Sequence, residues 1–140
     1  MKTISTFRGE YGFLSNFHGN NNDTVEHKYQ AAKAKHVSDY IKLLACPTPT
    51  EAKQMGKIIE PRDNWNQIKL VIMEELLREK FSKSPYKALL IATENALLIE
   101  GNSWGDTFWG VCNGEGENHL GKILMKIRDE FLSLENILEY

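Results

Sequence analysis

Apolar residues recur at three- and four-residue steps in three long stretches of the chain. The first stretch begins near Thr24 and ends before Pro47, the second opens at 61–65, and the third follows residue 118. This spacing places apolar side chains on one face, so each stretch is predicted to form an amphipathic helix. The positions are Val25, Tyr29, Ala32, His36, Val37, Tyr40, Ile41 and Leu44; Ile68, Val71, Ile72, Leu76, Lys80 and Phe81; and Leu120, Ile123, Leu124, Ile127 and Phe131.

Shorter elements are predicted from cap residues, glycine and proline. Thr48-Pro49-Thr50-Glu51 has the form of a capping box and begins a helix that reaches about Lys57. Ser84-Pro85 repeats the N-cap and N1 signal before a helix over 86–93. Aromatic residues between glycines over 7–17 favour short strands or turns, and 96–100 has the length of a buried strand. The expected fold is α+β, a mainly helical single domain over 1–140 with a few short strands.

Composition and charge narrow the classes of function. The chain has 140 residues and a net charge of −2, so the strongly basic footprint of a nucleic-acid-binding surface is absent. No apolar run approaches the ~20 residues that span a bilayer, and the first residues lack a signal-peptide pattern. Two cysteines do not make a disulfide framework. A cytoplasmic protein with no membrane partner is therefore expected.

Residues 101–121, G-N-S-W-G-D-T-F-W-G-V-C-N-G-E-G-E-N-H-L-G, form the most informative segment. It holds six of the ten glycines and two of the three tryptophans. Glycine allows backbone to approach a ligand closely, and Trp104 and Trp109 offer flat faces to a base or sugar. Asp106 lies between them and can act on a stacked group. The alternative is a surface loop pinned by two aromatic residues, although long irregular loops are usually functional.

A second candidate lies on the first predicted helix. Glu26, Gln30 and Lys33 are spaced i, i+4 and i+7, so they share one face over roughly 10 Å. An acid and an amine could therefore meet the same ligand. A lysine removed from water loses its proton more easily and can become a nucleophile. The alternative is an ordinary solvated helix face.

Arg8 has a functional interpretation, and two further residues have both a structural and a functional one. Arg8 follows an aromatic residue and can hold a phosphate beside a stacked base. Asn118 is either the N-cap of the last helix or part of an anion site at its start. Trp65 either packs over the start of its own helix or contacts substrate.

The sequence does not indicate a metal site, a glycine-rich nucleotide-binding loop or a catalytic cysteine. His27 and His36 are nine positions apart, and no H-E-x-x-H pattern is present. The glycines at 105–121 match neither a P-loop nor a dinucleotide fingerprint. Neither a metal nor a cofactor is expected, and neither Cys46 nor Cys112 is expected to act as a nucleophile.

Several stretches in the same order resemble the NADAR family. They are F-R-G-E-Y-G-F-L-S-N-F, V-E-H-K-Y-Q-A-A-K-A, T-P-T-E-A-K-Q-M-G, R-D-N-W, the K-F before Ser82, and E-G-N-S-W-G-D-T-F-W-G followed by G-E-N-H-L-G-K-I-L-M-K-I-R. The resemblance runs from Phe7 to about Arg128. No single stretch is decisive, but six in the right order are highly specific.

The resemblance implies hydrolysis of an N-glycosidic bond at a ribose anomeric carbon. Family members cut either ribosylamino-pyrimidine phosphates of riboflavin synthesis or the bond between ADP-ribose and a modified guanine in DNA. Because the chain is close to a minimal family domain, removal of ADP-ribose from guanine is the favoured expectation. A module that binds ADP-ribose without turnover is a further alternative. The sequence identifies no protein partner.

The resemblance and the spacing together select the candidate site residues. Glu26 and Asp106 are the acids, Lys33 either forms a Schiff base or holds a phosphate or hydroxyl, and Trp109 stacks on the base or ribose. The expected catalytic residues are Glu26, Lys33, Asp106 and Trp109. The expected substrate-binding residues are Phe7, Arg8, Ser15, Asn16, Gln30, Trp65, Glu100, Trp104, Gly110 and Asn118.

Overall fold

The computed structural model describes residues 2–138, and the side chains of residues 2–135. The elements in this part of the chain are β1 Thr3–Ile4, a 3-10 helix Gly9–Leu14, α1 Val25–Lys33, α2 Val37–Leu44, α3 Pro49–Gly56, α4 Trp65–Phe81, α5 Tyr86–Ile91, β2 Leu97–Leu98, β3 Gly101–Asn102, β4 Val111–Cys112 and α6 His119–Leu138. Helices dominate and the strands are short, which confirms the predicted α+β, mainly helical class. No helix within 2–138 is long and apolar enough to cross a membrane.

The chain forms two compact units, Asn16–Lys80 and Met1–Ser15 with Phe81–Tyr140. The first unit contains α1, α2 and α3 and nearly all of α4. Helix α1 packs on both α2 and α3. Its buried apolar side chains are Val25, Tyr29, Ala31, Leu43, Cys46, Ala52, Trp65, Met73 and Leu77. The residues of α1 are therefore held from two sides by helices that follow it in the chain.

The single helix predicted from Thr24 to Pro47 is wrong, because the chain breaks between α1 and α2. The backbone at the break bonds to a distant segment: Lys35 N–H donates to Glu60 O at 3.0 Å and Arg62 N–H donates to Lys33 O at 2.8 Å. Ala34 also forms an antiparallel bridge with Pro61. Backbone groups that would have continued the helix are used in this tertiary pairing.

The break also changes which side of α2 is buried. Val37 is 74% exposed and Ile41 59% exposed, although the periodicity placed both in the core, whereas Leu43 is fully buried. Helix α4 shows the same kind of difference. Met73 and Leu77 are buried there and Val71 is exposed. Because α4 is apolar on more than one side, the sequence pattern did not select the face that packs.

Local signals at helix starts gave mixed results. Thr48 caps α3 as predicted, since its Oγ1 accepts the Glu51 N–H at 3.2 Å. The Ser84 cap is wrong: the cap position of α5 is Pro85, which makes no side-chain cap bond. The segment 7–17, predicted as strands or turns, contains the 3-10 helix Gly9–Leu14.

The second unit contains two parallel strand pairs. β1 pairs with β2 in the register Thr3 with Leu97, and β3 pairs with β4 in the register Gly101 with Val111. Helix α6 packs against β2, and α5 packs against α6. The β3–β4 pair lies inside the glycine-rich segment, where no strand was predicted. This pairing folds 101–112 into a closed loop with residues 103–110 between the strands.

Candidate active site

Helix α1 carries the first cluster of candidate residues. Thr24 begins the helix, and its Oγ1 accepts the His27 N–H at 3.3 Å. The ring nitrogens of His27 lie 2.8 Å from Thr24 Oγ1 and 2.9 Å from Cys46 O. His27 is therefore a satisfied core residue that anchors the start of α1. This anchoring fixes the rotation of the helix and hence the direction of Glu26.

Glu26 is buried with only 7% of its surface exposed. Its Oε1 accepts a hydrogen bond from Gln30 Nε2 at 2.8 Å, and its backbone N–H donates to Asn16 O at 3.1 Å. Gln30 is 8% exposed. Burial of an unpaired carboxylate costs free energy. The hydrogen bond from Gln30 offsets part of this cost for Glu26. The alternative of a solvated helix face is excluded for these two residues.

Lys33 lies at the end of α1, and its Nζ donates to Gly56 O at 2.7 Å. Burial lowers the pKa of the Lys33 ammonium, Glu26 raises it, and Lys69 lowers it further. The net direction is downward. A larger fraction of Lys33 is therefore neutral at a given pH than for an exposed lysine, which is the condition for a nucleophilic amine.

Gly56, the last residue of α3, was not predicted as a site residue. A Cβ on Gly56 would lie 1.9 Å from Gln30 Oε1, so any other residue here would displace this amide. Its carbonyl also receives Lys33 Nζ. Gly56 therefore positions two of the three candidate side chains of α1. The T-P-T-E-A-K-Q-M-G stretch contained this glycine, but its partners lie 23 and 26 positions earlier in the chain.

Asn16 and Trp65 belong to the same unit. Asn16 is 8% exposed and its Nδ2 lies 3.5 Å from Met73 Sδ. Trp65 is buried and packs on Tyr29 with ring centroids 5.1 Å apart. This packing supports the structural interpretation of Trp65, and contact with substrate stays a prediction.

The glycine-rich segment is tied together by Asn102, which was also not predicted. Asn102 Nδ2 donates to Glu100 Oε2 at 3.1 Å and to Asp106 O at 2.8 Å. Its Oδ1 accepts the Asp106 N–H at 3.0 Å. One amide side chain thus connects two of the predicted site residues.

Asp106 holds the loop that carries Trp109. Its Oδ1 accepts the N–H groups of Phe108 at 3.1 Å and Trp109 at 2.9 Å. Phe108 meets Trp109 edge to face with centroids 4.9 Å apart, and it packs on His119 at 4.5 Å. The position of Trp109 therefore depends on Asp106 and on two neighbouring rings.

The two ends of the glycine-rich segment are packed together by three predicted residues, Glu100, Gly110 and Asn118. A Cβ on Gly110 would lie 1.9 Å from Glu100 Oε2 and 2.1 Å from Glu100 O. Asn118 Oδ1 accepts the Glu100 N–H at 3.0 Å, and Asn118 Nδ2 donates to Leu98 O at 2.9 Å. Asn118 precedes α6 as predicted, but its side chain bonds to the end of β2 instead of capping the helix.

The remaining predicted residues lie in the same unit as the glycine-rich segment. Phe7 is buried, and Arg8 is exposed at the start of the 3-10 helix, where its carbonyl accepts the Tyr11 N–H at 3.1 Å. Ser15 is half-buried at the end of that helix. Trp104 is 52% exposed, so its ring is accessible for stacking. Their contact with substrate stays a prediction.

The structure thus gathers nine of the predicted residues into two clusters, one in each unit, together with Gly56 and Asn102, which were not predicted. The α1 cluster contains Asn16, Glu26, Gln30, Lys33 and Gly56. The glycine-rich cluster contains Glu100, Asn102, Asp106, Trp109, Gly110 and Asn118. Within the described residues, no group of histidine, cysteine, aspartate and glutamate side chains could hold a metal ion.

The same segments are matched by a family model. The model of the NADAR domain covers residues 5–132, which include both clusters. The chain belongs to the NADAR family. This confirms the resemblance that the six sequence stretches indicated.

Relatives within the NADAR family are similar over most of the chain. The protein named N-glycosidase Npun_R5314 of Nostoc punctiforme is 39% identical, covering 92% of this chain and 93% of that protein. The NMR structure of the Escherichia coli protein YbiA is similar with a TM-score of 0.81 and 33% identity, covering 98% of this chain and 89% of YbiA. A protein named Riboflavin biosynthesis protein VVA0006, from Vibrio vulnificus, is 34% identical over 86% of this chain but only 35% of its own length.

In this NADAR domain, replacing Asp106 by asparagine is expected to preserve the loop, whereas Asp106→Ala is expected to lose about 1 kcal/mol of stability. Asparagine retains an oxygen in the place of Oδ1, which accepts the N–H groups of Phe108 and Trp109. Denaturant unfolding of both variants, with tryptophan fluorescence as a second readout, measures this difference. Equal stability of the two variants would show that these bonds do not hold the loop.

Proposed function

We propose that this protein is an N-glycosidase that hydrolyses the bond between C1 of a ribose and a base nitrogen. The observation that carries the proposal is the α1 cluster, in which an amine of lowered pKa and a buried carboxylate lie on one helix. Cleavage of an N-glycosidic bond places positive charge on the sugar, and a carboxylate stabilises that charge. The names of the N-glycosidase relatives support the same chemistry.

In the proposed mechanism Lys33 is the nucleophile. The Nζ lone pair forms a bond to C1, and the bond from C1 to the base breaks with its electron pair passing to the base nitrogen, which takes up a proton that Nζ loses. The bond from C1 to the ring oxygen then opens, the oxygen takes up the second Nζ proton, and C1 and Nζ form an imine. Glu26 stabilises the developing charge and then removes a proton from water, which adds to C1 and releases the sugar and the free amine. In the alternative, Glu26 activates water directly and Lys33 holds a phosphate or hydroxyl.

The glycine-rich cluster has a supporting role in the proposal. Trp104 and Trp109 offer aromatic faces to a base, and such stacking tolerates different bases. Asp106 positions Trp109 through the backbone bonds of the loop. Phe7, Arg8, Ser15, Glu100 and Asn118 are proposed to bind or support the nucleotide.

For the substrate we propose ADP-ribose attached to guanine in DNA, as the family resemblance implies. The net charge of −2 fits contact around one modified nucleotide better than contact along a phosphate backbone. The second candidate is a ribosylamino-pyrimidine phosphate, and one observation favours it: two relatives are named riboflavin biosynthesis proteins.

The test is release of free sugar phosphate from both substrates under the same conditions. An oligonucleotide carrying ADP-ribosylated guanine and a ribosylamino-pyrimidine phosphate are each incubated with the wild type and with Glu26→Ala. We expect release from one of them and a loss of about 10²–10⁴-fold in the variant. Glu79→Ala, at an exposed position of α4 in the same unit, is the matched control and should retain full activity.

The outcomes separate the candidates. Release of ADP-ribose supports the DNA substrate, and release of ribose 5-phosphate alone supports the riboflavin intermediate. Binding of either substrate with no release by folded protein would favour the non-catalytic binding module. Full activity of Glu26→Ala would remove Glu26 from the mechanism.

A further inference from the structure

Two buried amide oxygens beside Glu26 lack a hydrogen-bond donor. Within the described residues, Asn16 Oδ1 and Gln30 Oε1 are the buried side-chain polar atoms that have no partner. Each residue is 8% exposed. Buried acceptors in proteins are almost always paired, so an unpaired one needs a specific explanation. Here both occur in the cluster that carries the proposed chemistry.

The orientation of the Gln30 amide follows from its neighbours. Nε2 donates to the Glu26 carboxylate at 2.8 Å, and a carboxylate accepts but does not donate, so the NH₂ group must face Glu26. Oε1 therefore points away from Glu26, past the Cα of Gly56. The glycine is necessary for this arrangement, because a Cβ would lie 1.9 Å from the oxygen.

Asn16 flanks Glu26 from the preceding segment. Its backbone carbonyl accepts the Glu26 N–H at 3.1 Å, and its Nδ2 faces Met73 Sδ at 3.5 Å. Sulfur is a weak acceptor, so this contact occupies the NH₂ group and leaves Oδ1 without a donor. Two unpaired amide oxygens therefore belong to residues that hydrogen-bond Glu26. Asn16 bonds to its backbone and Gln30 to its carboxylate.

A ligand that satisfies the two unpaired oxygens must bring hydrogen-bond donors. Two amide oxygens and a carboxylate all accept, and a phosphate, which is anionic and also accepts, would be repelled by Glu26. Sugar hydroxyl groups are neutral donors of the right kind. A site that hydrogen-bonds a hydroxyl rejects an analogue that lacks it, because its own buried group is then left unpaired.

We propose that Gln30 Oε1 and Asn16 Oδ1 accept hydrogen bonds from the ribose hydroxyls, so that the site selects ribose over 2-deoxyribose. This inference rests on the proposed ribose N-glycosidase. Gln30 is fixed on the carboxylate that acts at C1, so it accepts the hydroxyl next to C1, which is the 2-hydroxyl. Asn16 accepts from a second hydroxyl. Gly56 sets the specificity indirectly as a positioning residue for Gln30.

The test measures binding without turnover. The probes are methyl β-D-ribofuranoside 5-phosphate and its 2-deoxy counterpart, closed rings that cannot form an imine with Lys33. Titration calorimetry on the wild type is expected to give at least about tenfold tighter binding of the ribose form. Gln30→Met keeps the side-chain length and removes the oxygen. This variant should bind both probes with the affinity that the wild type has for the 2-deoxy probe.

The controls separate specificity from folding. Gln54→Met makes the same change at an exposed position of α3 and should keep the wild-type preference. Asn16→Leu should weaken binding of the ribose form by about tenfold. Should Gln30→Met fail to fold, Gln30→Leu removes the same oxygen in a shorter side chain and should likewise bind both probes equally.

Each result decides the inference independently of catalysis. Equal wild-type affinity for the two probes, or no binding of either, would overturn it. A preference for ribose that survives in Gln30→Met would also overturn it, because a residue other than Gln30 would then bind the 2-hydroxyl. A preference that Gln30→Met removes would support it even if no N-glycosidase activity were found.

Discussion

Replacement of Lys33 by alanine is expected to abolish covalent capture of the sugar and to lower turnover by about 10³-fold or more. In the wild type, borohydride added during turnover should reduce the imine between Lys33 Nζ and C1 to a stable adduct. Mass spectrometry then locates the modified peptide. Lys33 is suited to this step because burial lowers the pKa of its ammonium and Gly56 O holds its Nζ.

The pH dependence of capture provides a second readout. Neutral amine forms as pH rises through the pKa, and the pKa of Lys33 lies below the 10.5 of an ordinary lysine. Capture should therefore rise with pH at lower values than for an exposed lysine. Because Glu26 raises the pKa of Lys33, Glu26→Gln should move the capture profile to still lower pH.

Lys28 provides the control on the same helix. It forms ion pairs with Asp23 and Glu79, and Lys28→Ala should retain both capture and turnover. Active turnover without any adduct, together with residual activity of Lys33→Ala, would exclude the Schiff base. Lys33 would then be assigned to holding the substrate while Glu26 activates water.

Replacement of Gly110 by alanine is expected to cost about 3 kcal/mol of unfolding free energy, at the upper end of overpacking changes. The added Cβ would lie 2.1 Å from the backbone oxygen of Glu100 and 1.9 Å from its carboxylate. A side chain can rotate away, but the backbone oxygen accepts the Val111 N–H at 2.9 Å and is fixed by that bond. Urea unfolding of wild type and variant measures the loss.

Gly114→Ala is the matched control within the same segment. Gly114 has a φ of +79°, and a Cβ there would meet nothing within 4 Å. Its cost is backbone strain alone, about 1 kcal/mol. Equal losses for the two variants would show that the crowding at Gly110 relaxes freely. We also expect Gly110→Ala to lose activity, because Trp109 adjoins the displaced residue.

Predictions of helix starts, which depend only on neighbouring residues, agreed with the structure at Thr48 and failed at Ser84. The Thr48 cap needs only the N–H of Glu51, three positions later, and it is present. The break after Lys33 depends on backbone partners at 60–62, which no local pattern reveals. The buried face of α4 depends similarly on which distant helices cover it, so Met73 and Leu77 could not be chosen over Val71.

The candidate site also divides into features that local spacing predicted and features that depend on distant residues. The helical spacing of Glu26, Gln30 and Lys33 correctly put them on one face, and the family resemblance suggested their roles. Gly56 and Asn102 were missed because their importance comes from the groups they touch. Gly56 has an ordinary helical backbone, so the usual reason for a glycine at a helix end does not apply, and its fit against Gln30 is purely tertiary.

The resemblance to the NADAR family, the mainly helical class and the order of acid, amide and amine along α1 all followed from the residues and their spacing. The burial of this helix face, the lowered pKa of Lys33 and the Gln30 oxygen without a donor became visible only in the folded chain. The physical reason is that spacing depends on the local helix, whereas loss of water depends on atoms from remote segments that cover it.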